Sequence, residues 1–186
     1  MDEATGVIVI KIYVFSDSHG DSQTMDTLVR IGKPDTVLFL GDCLADILPL
    51  QDRWGIRCEL IAGNTDHEAI AWEIVVCVEG VRIFMTHGHT YKNGSDIRSI
   101  FDAAHSHDAH IALFGHTHAA SMTSMNGFML INPGSVNASY WEASYAIMDV
   151  DDGYCTCSLH RVNDMVGFTK LKAVRPFSVV KREGRL

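Results

Sequence analysis

Two imidazoles one residue apart, in Gly115-His116-Thr117-His118, follow directly on a short apolar run. Four other apolar runs end in comparable groups: Asp17-Ser18-His19, Gly41-Asp42, Gly63-Asn64-Thr65-Asp66 and Thr86-His87-Gly88-His89. Each taken alone reads as an ordinary turn or cap. Together they bring carboxylates, a carboxamide and several imidazoles to successive strand ends, which turn chemistry does not explain. That donor set suits Mn, Fe, Zn, Co or Ni better than Ca. It contains too many groups for one ion, which points to two ions sharing a bridging carboxylate. Two divalent ions about 3.5–4 Å apart can acidify a water between them and clamp a phosphate for in-line attack.

Convergence of these groups requires a particular frame. The runs Val7 to Phe15, Thr36 to Leu40, Cys58 to Ala62, Val81 to Met85, Ile111 to Phe114, Phe128 to Ile131 and Tyr145 to Val150 have strand length and buried-strand composition. Asp21 to Ile31 reads as a helix, opening on capping residues and closing at Gly32-Lys33-Pro34; Asp46 to Trp54 and Asp96 to His105 are weaker helical candidates. Alternating strands and helices imply parallel strands, whose carboxyl ends gather ligands at one edge. The second half is expected to be mainly antiparallel, with Asn126-Gly127 as a hairpin signal. Strand alternation within Asp-x-His and His-x-His would put both side chains on one face. Gly41, Gly63, Gly88 and Gly115 permit tight turns.

The 186 residues are 47% hydrophobic and 20% charged, enough for one domain with a substantial core. A formal net charge of −8 argues against non-specific nucleic-acid binding. It leaves room for a small phosphorylated substrate, because bound cations reverse the local sign. The acidic Met1-Asp2-Glu3-Ala4 start lacks the basic character of a signal peptide, and the run that follows is too short to span a bilayer. A cytoplasmic protein with no membrane contact is expected, with a homo-oligomer possible. Cys43, Cys58, Cys77, Cys155 and Cys157 suggest no disulfide framework; Cys155 and Cys157 read as thiols on one strand face. Residues 1–171 are read as a single domain and residues 172–186, with Lys172, Arg175, Lys181, Arg182 and Arg185, as a basic tail.

The order Asp-x-His, Gly-Asp, Gly-Asn-x-Asp, Gly-flanked His and Gly-His-x-His resembles the calcineurin-like metallophosphoesterase superfamily, and the short length resembles its YfcE-like phosphodiesterase branch. The resemblance spans about residues 7–150, and Asn132-Pro133-Gly134-Ser135 resembles a further segment of the compact members. It implies a four-layer α/β/β/α sandwich of two mixed sheets. It implies that Asp17, His19, Asp42 and His118 hold one metal, and that Asp42, Asn64, His87 and His116 hold a second. Asp42 would bridge the two ions, manganese foremost, with Ni, Fe or Zn as alternatives. Asp42 and Asn64 are then the catalytic candidates, in a metal-dependent hydrolysis of a phosphodiester, with phosphomonoesters as a second substrate class. Two departures stand out. Thr65 occupies the position where many members carry a histidine, and a hydroxyl is no acid near neutral pH. Val136 to Glu142 contains no arginine, where members of this branch often have one.

Other residues read as structural. His105, His107 and His110 suggest a solvated turn, and Trp54, Trp72 and Trp141 suggest packing. His89 stands two residues beyond His87, open to a structural or a site role. Two other readings compete with the phosphoesterase. One is a protein-binding module on the same fold, like the retromer subunit, whose ligands are degraded; here every expected position is filled. The other is a single-zinc hydrolase.

Overall fold

A computed structural model of the chain describes residues 9–91, 96–125, 127–163 and 177–179. The order of elements is β1 (Ile10–Phe15), α1 (Ser22–Gly32), β2 (Thr36–Phe39), α2 (Leu44–Trp54), β3 (Arg57–Leu60), β4 (Glu73–Val78), β5 (Val81–Thr86), α3 (Ile97–Ser106), β6 (Ile111–Leu113), β7 (Ser121–Met125), β8 (Phe128–Asn132), β9 (Ser144–Asp151), β10 (Tyr154–Arg161) and β11 (Phe177–Val179). One sheet runs β11-β10-β9-β1-β2-β3 and the other β4-β5-β6-β8-β7.

Strand alternation builds the layers. On β1, Ile12 and Val14 face the second sheet, meeting Ile83, Met85, Ile111 and Leu113 in one core. Tyr13 and Phe15 face the other way, onto Met25, Leu28 and Val29 of α1 and Leu44 and Ile47 of α2. The second sheet repeats the pattern: Phe84, Ala112 and Leu130 turn outward onto Ile100, Phe101 and Ala104 of α3. The result is helix, sheet, sheet, helix, as expected from sequence. Burying both faces of the central strands supplies the main stabilising term.

The helix boundaries follow local chemistry. Asp21 caps α1 by accepting the Thr24 N–H at 3.0 Å. The helix closes at Lys33, in the left-handed region, whose N–H reaches the Val29 carbonyl, and Pro34 follows. Cys43 precedes α2 and supplies no side-chain cap. A distant carboxylate does so instead, as described below.

Pairing is more mixed than expected. β1, β2 and β3 are parallel, as are β5, β6 and β8. The parallel β6–β8 pair interrupts the antiparallel second half, because β7 passes out to the sheet edge and returns as β8. Four strands were not among the apolar runs read from sequence: β4, β7, β10 and β11. Phe177–Val179, from the segment read as a tail, pairs antiparallel with β10. The rest of that segment, Asn126 of the hairpin signal and the beginning of the first run lie outside the described residues. Cys155 and Cys157 do share one face of β10, buried in the core between the sheets. Among the described residues, no helix is long and apolar enough to cross a membrane.

Candidate metal centre

All seven predicted ligand positions lie just beyond strands that run parallel, β1, β2 and β3 in one sheet and β5 and β6 in the other. Their carboxyl ends meet at one edge of the sandwich. The first strand leads to Asp17 and His19, the second to Asp42, the third to Asn64, the fifth to His87, and the sixth to His116 and His118.

Six of these residues bring polar side-chain atoms together. Asp17 Oδ1 lies 3.3 Å from His118 Nε2, 3.9 Å from His19 Nε2 and 4.0 Å from His87 Nε2. Asp42 straddles the cluster, with Oδ1 3.4 Å from His87 Nε2 and Oδ2 3.8 Å from His19 Nε2. Asn64 Oδ1 lies 3.1 Å from His87 Nε2, and the Nε2 atoms of His19 and His118 are 3.1 Å apart. Two ligand groups form, Asp17 with His19 and His118, and Asp17 with Asp42 and His87; Asp17 is common to both. His116 joins differently. Its ring packs on His87, with centroids 5.2 Å apart, and its backbone N–H donates to Asp17 Oδ2 at 3.1 Å.

The donor set passes a chemical test for cations. Asp17 is fully buried, yet its Oδ1 has no hydrogen-bond partner. An orphaned buried carboxylate oxygen is costly unless something positive sits against it. His87 is also fully buried, and its Nδ1–H donates to the Leu40 carbonyl at 2.7 Å. In the neutral imidazole that bond fixes the tautomer and leaves Nε2 with a lone pair aimed at the oxygens of Asp42, Asn64 and Asp17. Lone pairs facing one another around a buried carboxylate suit divalent ions, and no cysteine enters either group.

Electrostatics support the same arrangement. Burial alone would raise the Asp42 carboxyl, but the hydrogen bond and charge of His87, with bonds from Thr65, hold it well below the usual carboxylate range. Burial would push His87 down; its bond to Asp42 and the charges of Asp17 and Asp42 raise it instead. The Asp17 carboxylate 3.3 Å away raises His118. Burial and the neighbouring His87 lower both His89 and His116.

The backbone is bent unusually to achieve this. Asp17, His19, Asp42, His116 and His118 all adopt positive φ, at 54°, 42°, 62°, 68° and 57°. The pairs Asp17/His19 and His116/His118 therefore converge through left-handed turns, which corrects the expectation of strand alternation. Left-handed residues other than glycine are uncommon, and they concentrate at functional sites. Gly41 and Gly63 make a second contribution. A Cβ on Gly41 would strike the Gly63 amide, and one on Gly63 would strike the Asp42 carboxylate. Only glycines let these two loops close around Asp42.

Several supporting residues were not recognised from sequence. Asp66 accepts four backbone N–H groups, from Asp42 (2.9 Å), Cys43 (2.9 Å), Leu44 (2.7 Å) and Gly63 (2.8 Å). It caps α2 and ties the Asn64 loop to the Asp42 loop. The segment 132–137 braces the histidine loops. Asn132 Nδ2 donates to the Gly115 carbonyl, Ser135 Oγ to the Asp17 carbonyl, and Asn137 Nδ2 to the Ser18 carbonyl. Asp66 stood in the Gly63-Asn64-Thr65-Asp66 motif and Ser135 in Asn132-Pro133-Gly134-Ser135, neither with this role assigned; Asn137 left no signal.

The remaining candidates sort clearly. His105 and His107 are exposed and stack on Phe101 and Phe84, while His110 Nδ1 accepts the Arg82 N–H. Trp54 packs and donates to Asp26. Trp72 and Trp141 do not pack as expected: they are 56% and 87% exposed. Trp72 stands edge-on to His89, centroids 5.6 Å apart, and His89 in turn packs on His87.

A family model described as the calcineurin-like phosphoesterase superfamily domain matches residues 10–153. The Bacillus subtilis protein named "Probable metallophosphoesterase YsnB" is 26% identical over 153 residues, covering 79% of this chain and 88% of that protein. Among solved structures, a Streptococcus pneumoniae protein described as a predicted phosphoesterase is 28% identical with TM-score 0.69, over 84% of this chain and 91% of the other. The E. coli phosphoesterase YfcE matches at 20% identity and TM-score 0.66, over 92% and 100% of the two chains. Vps29 from Entamoeba histolytica, complexed with Zn²⁺, matches at 20% identity and TM-score 0.74, over 92% and 100%. These last two likenesses speak for the fold.

Proposed function

The chain belongs to the calcineurin-like phosphoesterase superfamily, and from that premise we propose that it is a phosphodiesterase working with two divalent metal ions. The observation that carries this reading is the Asp17 Oδ1 atom, buried and without a hydrogen bond, faced by the Nε2 atoms of His19, His87 and His118. Asp17, His19, Asp42 and His118 would hold one ion, and Asp42, Asn64, His87 and His116 the other. Manganese is the first choice for both, with nickel, iron or zinc compatible with the same donors. Divalent ions held there would supply Lewis-acid charge for the phosphoryl oxygens and lower the pKa of water.

The protein's own groups do the rest. The Leu40 carbonyl orients His87, and the Thr65 N–H holds Asp42 Oδ1 at 3.1 Å. Asn64 presents its amide oxygen to the same point as His87. The position after Asn64 carries no acid of its own. Thr65 is a hydroxyl, and His89 is held low by burial. Leaving groups that need no proton are therefore favoured, as in esters of acidic alcohols and phenols, unless His67, His89 or a bound water supplies one. Nothing in the arrangement requires a covalent phosphoenzyme.

The test is hydrolysis of bis(p-nitrophenyl) phosphate beside p-nitrophenyl phosphate, after chelation and re-addition of single metals, with bound metal counted. Metal-restored turnover of the diester with two ions per chain is the expected result. One zinc per chain with full activity would replace this reading by a single-zinc hydrolase. A folded protein holding two ions that hydrolyses neither ester would replace it by a binding module on the same fold.

A further inference from the structure

We infer that Trp72 and Tyr140 are stacking posts, one at each ligand group of the centre, and that the diester bound between them carries a planar aromatic group of the nucleoside type. The inference rests on the phosphodiesterase reading above and names the substrate class of that site. Single exposed hydrophobics are common on protein surfaces and need no explanation. These two rings differ because they rest on the imidazoles of the site. Tyr140 is 42% exposed, and its ring centroid lies 5.5 Å from that of His118. Trp72 is 56% exposed and lies 5.6 Å from His89, which packs on His87 at 5.4 Å and on His116 at 6.3 Å. One ring thus adjoins the His19/His118 group and the other the His87 group.

The Tyr140 loop is held in place. Ala138 N–H donates to Asp21 Oδ2 at 2.8 Å, Tyr140 N–H donates to the Asn137 carbonyl, and Asn137 Nδ2 donates to the Ser18 and His19 carbonyls. The ring is therefore registered to His19 and His118 by short bonds. The same loop, Val136 to Glu142, contains no lysine or arginine. It offers a substrate ring surface in place of positive charge. A phosphodiester has two organic arms, and with its phosphate at the centre those arms extend toward the two rings. Stacking of a base on an aromatic side chain is tolerant of base identity, since every base has a π-face.

Two esters with one leaving group separate stacking from chemistry: thymidine 5′-(p-nitrophenyl phosphate) and methyl p-nitrophenyl phosphate. In each, a water oxygen bonds to phosphorus and gives up a proton to solvent, the P–O bond to p-nitrophenolate breaks, and that group leaves with the bonding pair. The thymidine ester should be favoured by about tenfold in kcat/KM, mainly through KM. Trp72→Ala and Tyr140→Ala should each shrink that preference several-fold, and Trp72→Phe should retain most of it. Equal turnover of the two esters, or a preference unchanged in both alanine variants, overturns the inference and leaves the phosphodiesterase standing. Equilibrium binding gives an answer independent of turnover. Thymidine 5′-monophosphate should bind the manganese-loaded protein about tenfold tighter than inorganic phosphate, and Trp72→Ala should narrow the gap. Equal affinities overturn the stacking posts. A preserved gap in a protein that hydrolyses no ester supports the posts and overturns only the hydrolysis.

Discussion

Asp66 holds the backbone of Asp42 from 24 residues away, its Oδ2 accepting the Asp42 N–H at 2.9 Å. The same carboxylate takes the N–H groups of Gly63, Cys43 and Leu44. It thereby replaces the cap that Cys43 does not supply, and it sets the distance between the Asp42 and Asn64 loops. Asp66→Ala should leave these amides short of partners and cost about 2–4 kcal/mol, since hydrogen bonds to charged groups are worth about 1.5–3 kcal/mol each and are partly replaced by water here. Asp66→Asn keeps one acceptor oxygen and should lose about half as much. Urea unfolding of the metal-free proteins measures both. An alanine variant as stable as the parent would show that the four bonds are not structural.

Asp17 predicts opposite signs with and without metal. Its Oδ2 is satisfied by Ser16 Oγ and the His116 N–H, whereas Oδ1 is buried and unpartnered. In chelated protein at a pH above the raised pKa values of His87 and His118, Asp17→Asn should therefore raise Tm, because an amide nitrogen at the Oδ1 position can donate to a neutral imidazole. In protein given manganese, the same substitution should remove most of the metal-induced rise in Tm. Thermal melts with and without chelator test both. A variant that loses stability in chelator and still gains fully with metal would contradict the reading of Oδ1 as a ligand.

How much of this was legible beforehand depended on how each residue acts. The ligand positions could be read because each is a polar group placed directly after an apolar run. The roles of Asp66, Ser135 and Asn137 could not, although the first two stood in quoted motifs, because they act through backbone groups far away in the chain, as from Ser135 to the Asp17 carbonyl. The missed strands have local causes. β4 and β5 are separated only by Glu79-Gly80, whose φ values of 42° and 78° form a two-residue turn where Asn or Asp would have signalled a hairpin. β7, Ser-Met-Thr-Ser-Met, has little apolar alternation and owes its place to pairing with β8 at the sheet edge. In β10 the alternation of Cys155, Cys157 and Leu159 toward the core was present but lay in small or polar company. The left-handed turns at Asp17, His19, His116 and His118 have no sequence signature beyond the tolerance of Asp and His for them.

The Asp42–His87 pair sets a pH window for the metal-free protein. The Asp42 pKa is depressed in the folded state, so its contribution is present above the unfolded value of about 3.9 and lost as pH falls through the folded one. The His87 pKa is raised, so its contribution is full below the unfolded value of about 6.5 and lost as pH rises through the folded one. Stability from the pair is therefore greatest between about pH 4 and pH 6.5. Metal binding must displace the protons that Asp42 and Asp17 help His87 and His118 to hold. Metal affinity should consequently increase steeply from pH 6 to pH 8, by about tenfold per pH unit for each proton displaced. Calorimetric titration at the two pH values measures this. Equal affinities at both would mean that metal binding displaces no proton from these imidazoles.

Thr65 bears on which esters the enzyme can cleave. Its N–H supports Asp42 Oδ1 at 3.1 Å, and a new side chain leaves that backbone bond in place while giving up the hydroxyl's own bond to Asp42. The side chain itself is exposed at the mouth of the centre, beside Asn64. A histidine there would add a group able to give a proton to a departing oxygen, an effect worth about 10²–10⁴-fold where the leaving group needs it. Thr65→His should therefore raise turnover of phenyl and alkyl phosphodiesters by at least about tenfold, and change turnover of p-nitrophenyl esters little, because p-nitrophenolate leaves unaided. A plot of log kcat/KM against leaving-group pKa should accordingly be steep for the parent and shallow for the variant. Equal slopes would show that the parent already has an acid in place. His89 would then be the first residue to replace, since its Nδ1 is buried without a partner next to His87 and His116.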